Sequence, residues 1–153
     1  MTIFPWQKKK EFFTRDEKAQ VIEAIQQAEQ RTSGEVRVFI ESRCRYVNPL
    51  DRAAEVFAGL KMSETSLRNA TLVYVAVKDK QAAVLGDAGI HEKVGQKYWE
   101  EEVNKMLLCF RQAQLAAGLV QCIKSIGDAL HYYFPYDRTT DKNELPDDIV
   151  FGS

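Results

Sequence analysis

The apolar run 70–77 constrains the fold more than any other stretch of the chain, because its residues are apolar toward both faces and rich in β-branched side chains. Such a run is typical of a strand that is covered on both sides and lies at the centre of a sheet. The polar turn 78–80 follows it, and the shorter apolar run 82–85 comes next. This order predicts a β-hairpin in which 81–85 pairs antiparallel with 70–77.

The part of the chain before the hairpin contains a predicted helix over residues 14–31. Thr14 and Glu17 fit a capping box, in which the side chain of each residue accepts a hydrogen bond from the backbone N–H group of the other. One apolar stripe recurs at helical spacing and should be buried: Val21, Ile22, Ile25 and Ala28. Gly34 is expected to terminate this region with a positive φ.

A βαβ unit is predicted next. Residues 35–41 alternate between their two faces as a strand does. Asn48 followed by proline predicts the start of a helix over about 49–62. Because such a crossover is right-handed, 35–41 should lie parallel to 70–77, and the hairpin then makes the sheet mixed.

The second half of the chain is predicted to be helical after residue 90 and up to residue 133, with a break near Gly118. Together these elements predict an α/β fold, a three-layer α/β/α sandwich with a mixed central sheet and a helical C-terminal half. We expect one domain over residues 14–136. An aromatic and basic arm, 1–13, precedes it, and an acidic tail, 137–153, follows it.

Composition restricts the partners of the chain. The formal net charge is -1 and the isoelectric point is about 6.2, whereas nucleic-acid binding usually needs a basic excess. No apolar run reaches the ~18 residues that a membrane-spanning helix needs, and the N-terminus lacks the order of a signal peptide. The 3 cysteines and 2 histidines show no metal-ligand spacing. Reduced thiols and a cytoplasmic location are therefore expected. We also expect a monomer.

The arm 1–13 has two interpretations. Its aromatic residues flank the lysines at 8–10, an arrangement that suits contact with a membrane surface or a protein partner. Alternatively, the aromatic side chains dock on the domain while the lysines stay in water. The second interpretation is favoured, because one short basic cluster binds a membrane only weakly.

The predicted hairpin brings candidate ligand residues to one edge of the sheet. Asp87 lies in a loop between Gly86 and Gly89, and carboxylate and loop carbonyl oxygens are the ligands that hard cations such as Ca²⁺ prefer. The start of a strand lies at the same edge as the end of its antiparallel neighbour. One compact site would therefore comprise Glu35, Asn69, Asp87 and Glu92. Asp79 belongs to the opposite edge, as a separate candidate ligand.

An ordinary structural role explains the same carboxylates equally well. Asp79 is suited to form a turn, and Asp87 is suited to cap a helix. The sequence contains no motif of nucleotide-binding loops, zinc proteases, serine hydrolases or calcium loops. No sequence signal pairs His91 or His131 with a nucleophile. The residues alone therefore leave both interpretations open.

Four short segments occur in a characteristic order along the chain. They are Ser-Gly-Glu-Val-Arg-Val at 33–38, Asn-Ala-Thr-Leu-Val-Tyr-Val-Ala at 69–76, Asp-Lys at 79–80 and Gly-Asp-Ala-Gly-Ile at 86–90. This ordered series, with Phe110-Arg111 and Gly118-Leu119 in the helical half, resembles the TPM domain family, which is also called TPM phosphatase. The resemblance covers about residues 14–135.

The resemblance implies an α/β/α sandwich. It also implies binding of calcium or another divalent cation, weak acid phosphatase activity, and roles in photosystem II repair or as a receptor accessory protein. In a phosphatase of this kind, a metal held by Asp87 and its neighbours would polarise phosphate oxygens and activate water. Arg68 would then steady the phosphate group.

The chain departs from the family pattern at several places. Arg68-Asn69-Ala70 stands where the family often has Asp-Asn-Gly, and Asp79-Lys80 stands where it often has Asp-Arg. The loop at 86–89 is one residue longer than usual, which displaces Glu92. With no membrane anchor expected, the chain is interpreted as a stand-alone cytoplasmic branch of the family.

Three functions follow from these observations as hypotheses. The first is a regulatory or interaction module that binds a divalent cation, Ca²⁺ in the first place, with little or no catalysis. The second is a metal-dependent phosphomonoesterase. The third is a scaffold that binds a protein partner through its aromatic arm and takes no ligand. The first is preferred to the second, because the sequence singles out no nucleophile or base.

Overall fold

The computed structural model describes residues 12–136 and 149–152. The helices of this part are α1 (Arg15–Gln30), α2 (Pro49–Gly59), α3 (Ala88–Val94), α4 (Gln96–Arg111) and α5 (Leu115–Tyr133). Its strands are β1 (Glu35–Glu41), β2 (Ala70–Ala76), β3 (Gln81–Gly86) and β4 (Ile149–Phe151), in the sheet order β3-β2-β1-β4. None of these helices is long and apolar enough to cross a bilayer.

The strand β2 lies inside the sheet, as its apolar run predicts, and all 7 of its residues are buried. On one side it pairs in parallel with β1, from Glu35 opposite Ala70 to Glu41 opposite Ala76. On the other side it pairs antiparallel with β3. The predicted mixed sheet, with its βαβ unit and hairpin, is therefore confirmed.

Helices cover both faces of the sheet and create two apolar cores. Leu72 and Tyr74 of β2 pack on the face that α2 covers. Val73 and Val75 pack on the opposite face, with α1, α4 and α5. This alternation follows from the two-residue period of a strand, and each buried side chain of this size contributes roughly 1.5–3 kcal/mol relative to exposure. The result is the predicted three-layer sandwich.

The start of α1 and the turn after it show one prediction confirmed and one wrong. The N–H group of Thr14 donates to Glu17 Oε1 at 2.9 Å, and that of Glu17 donates to Thr14 Oγ1 at 3.1 Å, so the capping box is present. The prediction for Gly34 is wrong, because among the glycines of the described ranges only Gly95 has a positive φ. Gly34 is needed for space instead: a Cβ there would lie 2.7 Å from Leu130 Cδ2.

The helical half divides at a place other than the predicted one. Whereas the sequence favours a break near Gly118, α4 ends at Arg111 and α5 begins at Leu115. Ala113, between them, adopts a φ of 56°. Gly118 lies inside α5, where an added Cβ would be 2.8 Å from the Cβ of Cys109. Because Gly118 has no side chain, α4 and α5 can pack closely at this position.

The chain segments near both ends of the described residues pack beside each other. Phe13 is buried, and the ring of Phe12 stacks on that of Phe151 with centroids 6.3 Å apart. Residues 1–11 lie outside the described part, so the two interpretations of the arm stay predictions. Within the tail, β4 pairs in parallel with β1, a strand that the sequence analysis did not predict.

Candidate functional site

Asp87 lies between β3 and α3, at the amino edge of the sheet, by which we mean the edge where β1 and β2 begin. Its backbone N–H group donates to the carbonyl oxygen of Ala70 at 2.8 Å. Its Oδ1 atom accepts a hydrogen bond from the N–H group of Ala88 at 2.8 Å. Asp87 is thus the N-cap of α3, and its side chain is only 6% exposed.

The carboxylate of Asp87 is held by Arg68. The Nε atom of Arg68 donates to Oδ2 at 2.6 Å, and its Nη2 atom donates to Oδ1 at 2.7 Å. Such bidentate, charge-assisted contacts are among the strongest side-chain hydrogen bonds, and they raise the pKa of Arg68. The arginine side chain is 51% exposed. The guanidinium group therefore stands between the buried carboxylate and the solvent.

A close approach of two backbone segments fixes the position of Arg68. Arg68 has a φ of 52°, and its carbonyl oxygen accepts a hydrogen bond from the N–H group of Gly89 at 2.8 Å. A Cβ at Gly89 would lie 2.2 Å from the carbonyl oxygen of Leu67, so only glycine fits there. Gly86 is needed for a different contact, because a Cβ there would lie 2.3 Å from the ring of Trp99.

Glu35 and Asn69 share the amino edge with Asp87, and both are buried. The backbone N–H group of Glu35 donates to the carbonyl oxygen of Asn69 at 3.4 Å. The Nδ2 atom of Asn69 donates to Ser33 Oγ at 3.3 Å. These three predicted residues are therefore grouped at one sheet edge. The side-chain amide and the backbone carbonyl of Asn69, however, both form hydrogen bonds within the chain.

The two remaining candidate ligands lie in different places. Glu92 is exposed on α3. Asp79 lies at the opposite edge, where its Oδ2 atom accepts a hydrogen bond from the backbone N–H group of Cys44 at 2.7 Å. Its Oδ1 atom pairs with Arg43 at 3.2 Å. Asp79 thus joins the turn after β2 to the loop after β1.

These contacts determine how well the predicted residues fit a divalent cation. Ca²⁺ usually takes about six to eight oxygen ligands. Within residues 12–136 and 149–152, no group of three or more His, Cys, Asp or Glu residues is placed to hold a metal ion. Both carboxylate oxygens of Asp87 accept hydrogen bonds from Arg68. The donor set therefore does not fit a preformed cation site.

A buried cluster that was not predicted from the sequence lies at the carboxyl edge, where β1 and β2 end. Glu41 accepts hydrogen bonds from Arg52 Nε at 2.9 Å and from Arg52 Nη2 at 3.0 Å. The hydroxyl group of Tyr74 also donates to this carboxylate. One feature of the sequence could have indicated this ion pair: a glutamate ends an apolar strand, and an arginine lies near the start of the helix that follows.

Burial and hydrogen bonding act in opposite directions on Glu41. Burial raises its pKa, but the hydrogen bonds from Arg52 and Tyr74 lower it more, so the pKa lies below the ordinary value. Burial, and then the hydrogen bond to Glu41, raise the pKa of Tyr74. The cluster therefore contains a carboxylate, a guanidinium and a neutral phenol that satisfy one another, and it ties α2 to both parallel strands.

Comparisons with known proteins identify relatives of the chain. A family model described as "TPM domain" matches residues 7–129. The chain is similar to the NMR structure of the BA42 protein from the psychrophilic bacterium Bizionia argentinensis, with 41% identity, a TM-score of 0.85, and coverage of 95% of this chain and 99% of that one. It shares the fold of the N-terminal domain of the cg2496 protein from Corynebacterium glutamicum, at 11% identity, a TM-score of 0.61 and coverage of 90% and 80%. No curated protein matches the chain.

Proposed function

Because the chain belongs to the TPM domain family, we propose that it is a regulatory or interaction module of that family with little or no catalysis. The observation that carries this proposal is the bidentate contact between Arg68 and Asp87. The carboxylate best placed to act as a ligand or a base is neutralised within the chain. The arginine best placed to bind phosphate is neutralised by the same contact.

The place of Arg68 in the family pattern supports this proposal. The family often has Asp-Asn-Gly before the central strand, where this chain has Arg68-Asn69-Ala70. The substitution replaces a potential cation ligand by a fixed positive charge, which contacts Asp87. We therefore regard the guanidinium group as a substitute for a bound cation at this edge.

A phosphomonoesterase is disfavoured by the same contact. A phosphate group bound by Arg68 would draw the guanidinium away from Asp87 and leave a carboxylate that is 6% exposed without its partner. Leaving a buried polar group unsatisfied costs roughly 1–3 kcal/mol, and more for a charged one. Binding of substrate would have to offset that cost.

Divalent cation binding, by Ca²⁺ in the first place, is the second candidate function. The exposure of Arg68, 51%, favours it, because a cation can approach the pair from the solvent side. A cation that displaced the guanidinium would take Asp87 as its ligand. Glu35, Asn69 and Glu92 would be its neighbours at this edge, and Asp79 would stay a separate candidate.

Thermal unfolding with and without Ca²⁺ distinguishes these two functions, since a ligand specific to the folded state raises the melting temperature by mass action. For the interaction module we expect no shift in the wild type at millimolar Ca²⁺. Arg68→Gln, which releases Asp87, should gain a shift. The control Arg111→Gln removes an exposed arginine of α4 and should behave as the wild type does. A Ca²⁺-dependent rise in the wild type would overturn the first proposal in favour of cation binding.

Release of phosphate from p-nitrophenyl phosphate tests catalysis separately. We expect the wild type and Asp87→Asn to show the same background rate, with Ca²⁺ or with Mg²⁺. Turnover in the wild type that Asp87→Asn abolishes would assign a phosphatase activity to this edge and exclude the non-catalytic module.

A further inference from the structure

The loop 42–48, which joins β1 to α2, presents an apolar side chain to water. Val47 is 100% exposed, and its neighbour Tyr46 is 37% exposed. The side chain of Tyr46 is oriented toward α2, because its hydroxyl group donates a hydrogen bond to Glu55. Single exposed valines are ordinary on protein surfaces, so the meaning of Val47 depends on what flanks it.

Four exposed basic side chains lie near this loop, two on the loop itself and two on the turn between β2 and β3. Hydrogen bonds hold the loop and the turn together: the N–H group of Lys78 donates to the carbonyl oxygen of Ser42 at 2.7 Å, and that of Cys44 donates to Asp79 Oδ2 at 2.7 Å. The four basic residues are Arg43, Arg45, Lys78 and Lys80. We call the loop 42–48 and the turn 77–80 together the basic edge.

The positive charge of the basic edge is only partly cancelled by acidic neighbours. Arg43 pairs with Asp79. Glu41 is buried against Arg52 and also interacts electrostatically with Arg45. The exposed Glu55, beside Tyr46, pairs with Arg52. No ion pair with another described residue is formed by Arg45, Lys78 and Lys80. Positive charge is therefore concentrated here, although the formal net charge of the whole chain is -1.

We propose that the basic edge docks on an anionic lipid surface. Each Lys or Arg near such a surface strengthens binding about fivefold, and an apolar side chain beside the basic residues can enter the boundary between headgroups and acyl chains. A free phosphate would use the basic residues but would leave Val47 in water. A lipid surface accounts for both features.

The contact is reversible and depends on salt. The three basic residues that form no ion pair within the described part of the chain correspond to roughly a hundredfold preference for anionic over neutral membranes. This attraction acts over a Debye length of about 8 Å at physiological ionic strength and shortens as salt is added. Binding should therefore weaken with salt, while the contribution of Val47, which is hydrophobic, persists.

Co-sedimentation of the full chain with lipid vesicles tests the proposal. One set of vesicles contains phosphatidylcholine alone, and the other replaces a third of it by phosphatidylserine. We expect binding to the anionic vesicles only. The pair Arg45→Gln with Lys78→Gln should lower it about 30-fold, and Val47→Ser should lower it about fivefold. The control pair Lys93→Gln with Lys124→Gln, exposed lysines of α3 and α5, should bind as the wild type does.

Three results would overturn the proposal. One is the absence of binding to anionic vesicles. A second is an equal loss in the Arg45/Lys78 pair and in the control pair, because binding would then follow the total charge or another part of the chain. A third is full binding by Val47→Ser together with loss in the Arg45/Lys78 pair, because a site for acidic groups in general would behave in this way. The melting temperatures of all variants show that each is folded.

Discussion

Arg52 donates two hydrogen bonds to the carboxylate of Glu41, at 2.9 and 3.0 Å, across the boundary between α2 and the sheet. A buried ion pair adds little net stability when both partners are present, because both ions lose their hydration. Removal of one partner, however, leaves a charge uncompensated away from water. The pair therefore provides a direct test of how α2 is held on the sheet.

Glu41→Gln should lower the free energy of unfolding by about 2–4 kcal/mol, because the Arg52 guanidinium would lose its buried counter-charge and keep only the exposed carboxylate of Glu55. Urea denaturation followed by circular dichroism measures this change. The control Glu100→Gln removes an exposed carboxylate of α4 and should change the value by less than about 0.5 kcal/mol. Equal changes in both variants would contradict a specific role for the Glu41 pair.

Acid should destabilise the protein through the same carboxylate. The pKa of Glu41 in the folded protein lies below its ordinary value of 4.5, since hydrogen bonds from Arg52 and Tyr74 outweigh burial. Its contribution is therefore fully present above pH 4.5 and is lost as the pH falls through the folded pKa. Below pH 4.5, the melting temperature of the wild type should fall more steeply than that of Glu41→Gln. Parallel curves would show that other groups control acid unfolding.

Gly89→Ala should lower the free energy of unfolding by about 3 kcal/mol, at the upper end of overpacking effects. The reason is the new Cβ, which would lie 2.2 Å from the backbone oxygen of Leu67 and would separate the segments that position Arg68. Gly59→Ala is the matched control, because nothing lies within 4 Å of its added Cβ. In α2 that change should be neutral or stabilise by up to about 1 kcal/mol. Chemical denaturation of both variants checks the contrast.

Cys122 should resist thiol reagents in the folded protein. Burial raises the pKa of this thiol, and the thiolate is the reactive form. Cys44 and Cys109 are only partly buried and should react with Ellman's reagent first, whereas Cys122 should react after denaturant is added. If Cys122→Ala loses one of the rapidly reacting thiols, the assignment is wrong.

Local signals in the sequence were sufficient for elements whose determinants lie close together in the chain. Thr14 and Glu17 cap α1 across three positions, and the apolar run of β2 indicates a central strand by itself. The strand β4 could not be predicted in this way, because 3 residues are too short to show a period. Its place depends on pairing with β1, which is distant in sequence.

The candidate site was predictable as an edge of the sheet but not as a set of contacts. Strand directions alone bring Asp87 and Glu35 to the amino edge. The pairing of Arg68 with Asp87 depends on a positive φ at Arg68 and on the close approach at Gly89, and no local pattern encodes either. The cluster at Glu41 was unpredictable for the same reason, since its three members come from β1, β2 and α2.

The strand β4 has a consequence for the behaviour of truncated chains. It pairs with β1 over only 3 residues, and the N–H group of Gly152 extends the pairing to the carbonyl oxygen of Ile40 at 2.7 Å. A protease that cut the chain before Ile149 would uncover the backbone of β1, and an open strand edge is a template for intermolecular pairing. Resistance to aggregation should thus depend on a strand of only 3 residues.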